Sequence, residues 1–367
     1  MDFDLTEEQQ LLGDTTREIL TRAYDVEKLN QVIDTDLGWN RKVWGQMAEL
    51  GILGLGFDPE ESGQLEIMVV LTEFGARLAP EPVLEGALLP GGLIAELGTD
   101  EQKAALDDVA SGERLLAFAH LETGMRPFDA PSTRAEQQGD SWSLTGSKAY
   151  VAAGDAADVI VTSAALPDGG TGLFLVDASA VNRRPYRTFD GRRGAEIDFD
   201  GVAAEPLGVG GDASEHVSRA LVRYQSALCA EAVGAMAEAL RLTTEYLNAR
   251  KQFGVPLSKF QTLTQRAADM YVSLELARSM NFYAAMSIAD GNFDPVVAAR
   301  AKLQIARSGR HIAQEAIQMH GGIGVTAEYP VGHYAARLTA IGNTLGSADD
   351  QLRTLIGQIS SYDTIAL

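Results

Sequence analysis

The chain has 367 residues, 46% hydrophobic and 22% charged, and its 51 acidic against 30 basic side chains give a formal net charge of −21. That balance excludes a nucleic-acid face, which needs clustered cations to meet phosphates, while the length suffices for two or three structural units. No apolar run reaches the roughly eighteen residues of a membrane span, and the single cysteine, Cys229, excludes an intrachain disulfide. The start, Met1 to Gln10, is acidic and polar, unlike a secretory signal, and with one thiol it fits a reducing cytoplasm.

Along the first hundred residues the pattern is helical. Thr6-Glu7-Glu8-Gln9 has the spacing of a capping box, and Leu11, Leu12 and Ile19 continue an apolar face. Trp44, Met47, Leu50 and Leu53 repeat at three-residue steps until Gly54-Leu55-Gly56 interrupts them. A further helix is expected from Glu66 to Leu78, stopped by Pro80 and Pro82.

The texture changes near residue 115. Leu115 to His120, Asp158 to Thr162 and Gly172 to Val176 are short apolar runs between turn residues, and Gly139 to Gly146 and Gly194 to Asp200 read as strand with turn. Beyond residue 212 long helices return. Val217, Leu221, Tyr224 and Leu228 lie on one helical stripe that persists to about Lys251, and a second helix spans Lys259 to Ala289. Asp294 and Pro295 suit the N-cap and first turn of a third, which Gly321-Gly322-Ile323-Gly324 ends; two shorter helices follow. The class is therefore α+β: a helical N-terminal domain (1–107), a central antiparallel β-domain (108–211) and a C-terminal helical bundle (212–367).

Two segments carry chemistry. Arg250-Lys251-Gln252-Phe253-Gly254 closes the first long helix, and Gln318-Met319-His320-Gly321-Gly322-Ile323-Gly324 joins the third to Glu328-Tyr329-Pro330. An arginine offers charge-assisted hydrogen bonds, and adjacent glycines let a pyrophosphate approach the main chain. In an acidic chain an anion needs such local help. Equally, Arg250 can serve as a helix C-terminal cation and Gly321-Gly322 as a C-cap. No paired-histidine or Cys-x-x-Cys spacing suggests a metal, and no Ser-His-Asp arrangement emerges. His120 and His333 are isolated, and Arg223 and Glu231 share the Tyr224 helix with solvated or intersubunit roles open to them.

In this order and spacing the segments resemble the acyl-CoA dehydrogenase family over nearly the whole chain, through Trp44 to Gly56, Gly139 to Gly154, and above all RKQFG followed by QMHGGIGVTAEYPV. The resemblance implies FAD, an acyl-CoA substrate, electron-transfer flavoprotein as acceptor, and an oligomer in which flavins lie between subunits. By that likeness Arg250, Gln252, Phe253, Gln318, Gly321 and Gly322 match the positions that grip a neighbour's flavin dinucleotide. The family's flavin-ring threonine falls at Leu121 in Leu121-Glu122-Thr123-Gly124, and its second ring hydroxyl falls at Ala152 in Tyr150-Val151-Ala152. Its catalytic glutamate takes one of two places, which here hold Leu345 and Tyr224. The resemblance is thus to the non-catalytic subunit of a heteromeric dehydrogenase, a heterotetramer with a homologous partner, of the kind associated with steroid side-chain CoA thioesters. Two alternatives stand beside it: a self-sufficient enzyme using Glu122 or Glu231 as base, and a flavin-free scaffold.

Overall fold

The computed structural model describes residues 5–59 and 61–358. Thr6 opens the first helix as its spacing predicts: its Oγ1 accepts from the Gln9 amide at 3.2 Å while Gln9 Oε1 accepts from the Thr6 amide at 3.0 Å. In chain order the helices are α1 (Glu7–Ala23), α2 (Val26–Ile33), α3 (Arg41–Glu49), α4 (Gln64–Arg77), α5 (Leu89–Leu97), α6 (Asp100–Ala104) and α7 (Leu106–Ala110), with a π-helical turn at Leu84–Leu88. The strands β1 (Leu116–Ala119), β2 (Arg134–Gln138), β3 (Ser141–Ala152), β4 (Val159–Ala165), β5 (Thr171–Asp177), β6 (Asn182–Arg187) and β7 (Arg193–Pro206) follow. Then come α8 (Ser214–Ala249), the two-residue strands β8 (Lys251–Gln252) and β9 (Val255–Pro256), α9 (Gln261–Ala289), α10 (Pro295–His320), α11 (Val331–Asn343) and α12 (Ala348–Gly357). Asp294 caps α10 as expected, its Oδ1 accepting from the Val296 amide at 2.8 Å with Pro295 in the first turn.

The chain forms two compact units. One comprises residues 31–63 and 80–224. Its sheet is mostly antiparallel, as expected, and closes on itself: β4 pairs with β5, β5 with β7, β7 with β3, β3 with β2, and β2 returns to β4 through Arg134 and Ala165. Closure removes most free edges, leaving β1 paired only with β4 and β6 only with β7. Two details depart from the sequence reading. The β1–β4 pairing is parallel, because the intervening β2–β3 hairpin gives the chain the long connection that a parallel return needs. And β6 escaped notice because an exposed edge strand with Arg183, Arg184 and Pro185 has no apolar alternation. Leu144, Ile160, Phe174, Ile197 and Phe199 fill the interior.

The other unit comprises residues 1–30, 64–79 and 225–367. Here α10 packs against α9, α11 and α12. Backbones of α4 and α8 approach closely: a Cβ on Gly234 would lie 1.8 Å from the Thr72 carbonyl oxygen, and one on Gly75 would lie 1.8 Å from that of Glu231. Only glycine permits such a crossing. Lys302, fully buried in α10, donates to the Ile341 carbonyl at 2.7 Å and so caps the last turn of α11.

Candidate functional site

In the helical unit, α8 ends at Ala249 and the chain reverses over β8 and β9, where Lys251 pairs Pro256 and Gln252 pairs Val255. The two residues between them, Phe253 and Gly254, have φ of 51° and 82°, the left-handed pair that a tight hairpin demands. Glycine takes this freely, but phenylalanine stores strain there, and such strain concentrates at functional corners. The Phe253 side chain is 91% exposed, its ring meeting Phe260 edge-on at 6.2 Å. Arg250 and Gln252 also point to solvent. Where α10 stops, Gly321 adopts φ 66° and ψ −140°, and a Cβ built on Gly321 or Gly322 would meet nothing within 4 Å. Gln318 beside them is exposed.

These two corners adjoin. The Tyr246 ring lies 4.4 Å from that of His320, which lies 5.0 Å from that of Tyr329. All six sequence-predicted anchors thus lie on the exposed parts of the α8 and α10 termini, around main chain that an incoming group can approach without meeting a side chain. That arrangement fits the anionic end of a dinucleotide: a guanidinium for charge and glycine main chain open to close approach, although the Gly321 N–H is itself donated to the Ile317 carbonyl.

In the β-unit, the loop after β1 is fastened to β3 by a buried polar network. Glu122 Oε1 accepts from Lys148 Nζ at 2.8 Å, from the Thr133 amide at 2.9 Å and from Thr133 Oγ1 at 2.7 Å. Its Oε2 accepts from the Ser132 amide at 2.8 Å and from Ser132 Oγ. Burial alone would raise this carboxyl, but the bonds from Lys148 and Ser132 outweigh it and hold it down at about 2. Burial pushes Lys148 down to about 8. Glu122 is therefore a saturated anchor, poorly suited to take a carbon-bound proton.

His120 is spent as well. Its Nε2–H donates to the Pro127 carbonyl at 2.8 Å, leaving Nδ1 to accept from Ser163 Oγ at 2.8 Å, and burial lowers it to about 4. It lines a half-open cavity of about 150 Å³ with Phe128, Asp129, Ser214, Ser218 and Leu221. Near the ring positions, Tyr150 has φ 39° inside a β3 bulge, and Ala149 donates its amide to the Leu121 carbonyl at 2.9 Å. Leu121 and Ala152 have no hydroxyl to offer.

The two positions at which the family resemblance expects a base hold an apolar and a phenolic side chain. Leu345 sits in the α11–α12 turn, 3% exposed, at φ 56°. Gln351 Nε2 holds its carbonyl at 2.9 Å and Gln225 Nε2 reaches it at 3.4 Å. Tyr224 is 8% exposed, and its hydroxyl donates to Glu85 Oε1 at 3.2 Å. Glu85 lies on the π-helical turn, a local feature frequent at functional sites. Glu231 is locked in a buried bidentate pair, with Arg337 Nε at 2.7 Å from Oε1 and Nη2 at 2.6 Å from Oε2. Arg223 bonds Glu96 at 2.9 Å, and His333 Nε2 donates to the Ala327 carbonyl at 3.0 Å. Among the described residues no group of three or more His, Cys, Asp or Glu side chains could hold a metal ion, and no helix is long and apolar enough to cross a membrane.

Sequence reasoning missed Lys148, Arg337, Glu85 and the aromatic stack. Lys148 sits between small residues on a strand, and Arg337 finds its carboxylate 106 positions away; neither leaves a local signal. Tyr246 and Tyr329 flank the two motifs, so spacing alone could have drawn attention to them.

Known proteins match this architecture closely. The N-terminal-domain model of acyl-CoA dehydrogenases matches residues 6–113, and the C-terminal-domain model matches residues 217–359. The acyl-CoA dehydrogenase FadE27 of Mycobacterium tuberculosis is 29% identical over 97% of this chain and 98% of its own length. Among solved structures, the Tcur3481-Tcur3483 steroid ACAD is 32% identical with a TM-score of 0.89, covering 97% of this chain and 98% of that one. The ChsE4-ChsE5 complex from Mycobacterium tuberculosis is 27% identical with a TM-score of 0.90, covering 99% and 100%. The chain belongs to the acyl-CoA dehydrogenase family. Members of this family are oxidoreductases that bind FAD.

Proposed function

We propose that this chain is the non-catalytic subunit of a heteromeric acyl-CoA dehydrogenase, completing the FAD site of a homologous partner. The observation that carries the reading is the occupancy of both base positions by Leu345 and Tyr224, while the remaining candidates, Glu122 and Glu231, are each consumed in a buried ion pair. Desaturating a thioester requires a free carboxylate against the α-carbon with its pKa raised by desolvation. Leucine has no base, and the Tyr224 hydroxyl is a donor here, giving its proton to a hydrogen bond with Glu85 Oε1 at 3.2 Å. Glu122 is displaced in the opposite direction, to about 2.

FAD, when bound, accepts the hydride from the β-carbon. This chain's share is to bind. Arg250 and the main chain of Gly321-Gly322 would hold the pyrophosphate, with Gln252, Phe253 and Gln318 around the adenine end. All are solvent-facing here, as residues that serve a neighbour must be. The partner would contribute the glutamate, the ring hydroxyls and the acyl pocket. The assembly would be a heterotetramer handing electrons to electron-transfer flavoprotein in the cytoplasm. The two heteromeric relatives support the pairing, and the steroid ACAD among them supports a bulky, steroid side-chain thioester as substrate.

The test is expression of the chain alone and beside each neighbouring homologous reading frame. FAD per polypeptide and acyl-CoA-dependent dye reduction are then measured. The expected result is a flavin-poor, inactive single chain and a pair that holds about half a flavin per chain and turns over, since each site needs both subunits' groups. A lone chain with full flavin that reduces dye would overturn the proposal in favour of a self-sufficient enzyme. A native pair without flavin would favour the scaffold.

A further inference from the structure

Six anchor residues crowd two helix termini, yet they have little packing of their own: Phe253 is 91% exposed, and open space lies over Gly321 and Gly322. Something behind them must set their separation. Tyr246 stands one helical turn before Arg250, whose amide donates to the Tyr246 carbonyl at 2.8 Å. His320 immediately precedes Gly321, and Tyr329 lies on the chain just beyond the Gly321–Val325 turn. The three rings form one cluster, with centroids 4.4, 5.0 and 6.3 Å apart, within stacking and edge-to-face range. His320 is 4% exposed, and its Nδ1–H donates to the Ala316 carbonyl at 2.8 Å, fixing the ring plane on α10. Burial lowers its pKa, which keeps the imidazole neutral between the two phenols.

We infer that the Tyr246–His320–Tyr329 cluster is the positioning element that fixes Arg250 relative to the Gly321-Gly322 main chain, so that both engage one flavin dinucleotide together. The inference rests on the proposed role of those anchors. Its physical ground is that two groups grip one anion jointly only while their spacing is held, and the joint contribution is lost when the spacing forbids simultaneous engagement. Phenylalanine at position 320 would keep the aromatic contacts; alanine would open a gap between the two termini.

The experiment uses the co-expressed flavin-loaded complex. FAD release is followed by the rise in free-flavin fluorescence on dilution, with a thermal melt of each sample. His320→Ala and Tyr329→Leu are expected to release FAD about tenfold faster, and His320→Phe to stay within about twofold of the parent. Ile305→Ala, a buried change on the same helix four turns away, is the control for general loosening. It is expected to lower the melting temperature without changing release. Release at the parent rate in both His320→Ala and Tyr329→Leu would overturn the inference, as would equal acceleration by Ile305→Ala. If His320→Ala fails to assemble, Tyr329→Leu decides alone. Arg250→Ala separates this from the underlying reading. Faster release there with no effect at His320 or Tyr329 sinks only the positioning role, whereas no effect at Arg250 sinks the anchor reading itself.

Discussion

Replacing Lys148 by methionine removes an ammonium whose side chain is wholly buried and whose partner carboxylate is 8% exposed. The change deletes the 2.8 Å bond to Glu122 and the 3.1 Å bond to the His120 carbonyl. Breaking a buried pair from one side costs about 3–5 kcal/mol, because the remaining charge has lost its partner. Glu122 retains four donors from Ser132 and Thr133, which places the expectation near the lower end, at about 3 kcal/mol. For a cooperative unit of about 150–250 residues that is a fall of roughly 6–12 °C in melting temperature. Glu122→Gln in the same background should recover only part of the loss: the stranded charge is gone, but the amide NH2 must face the Ser132 or Thr133 backbone donor that a carboxylate oxygen accepted from. The pH dependence follows the same pair. Glu122 has its folded pKa depressed to about 2, so its contribution is present above the ordinary carboxylate range and disappears as pH falls from about 4.3 toward the folded value. Calorimetry at pH 7 and at a series of lower values checks both statements. A shift under 2 °C in Lys148→Met, with strictly additive behaviour in the double variant, would refute the argument that this network fastens the loop after β1.

Two further outcomes follow from the helical unit. Arg337→Leu strands Glu231 and is expected to cost about 3–5 kcal/mol in denaturant titration, whereas on the proposed function Glu231→Gln should leave dye-reduction kcat of the assembled complex unchanged, because Arg337 holds that carboxylate in a buried pair. Gly234→Ala forces a methyl to within 1.8 Å of the Thr72 carbonyl oxygen; overpacking of this kind costs about 1–3 kcal/mol or more, and a thermal melt equal to the parent's would show that α4 and α8 do not cross so closely.

Much of this protein was legible in one dimension because local rules wrote it there. The Thr6 capping box, the Asp294-Pro295 helix start and the glycine that ends α10 each act within a few residues, and period and composition separate helices from strands without reference to distant partners. The absent hydroxyls at Leu121 and Ala152 and the absent carboxylate at Leu345 are likewise facts of side-chain identity, which no folding can restore. What the sequence could not disclose was partnership. Glu122 and Glu231 were open as bases until tertiary structure joined one to Lys148 and the other to Arg337, residues whose helices and strands bring them together across 26 and 106 positions. The parallel β1–β4 pairing depends on how the chain returns, the edge strand β6 on where the sheet stops, and the Tyr246–His320–Tyr329 cluster on two helix ends meeting. Charge, propensity and motif are carried by the chain itself. The availability of a carboxylate for chemistry is decided by what packs against it, because burial and pairing shift the same group by several kcal/mol in either direction.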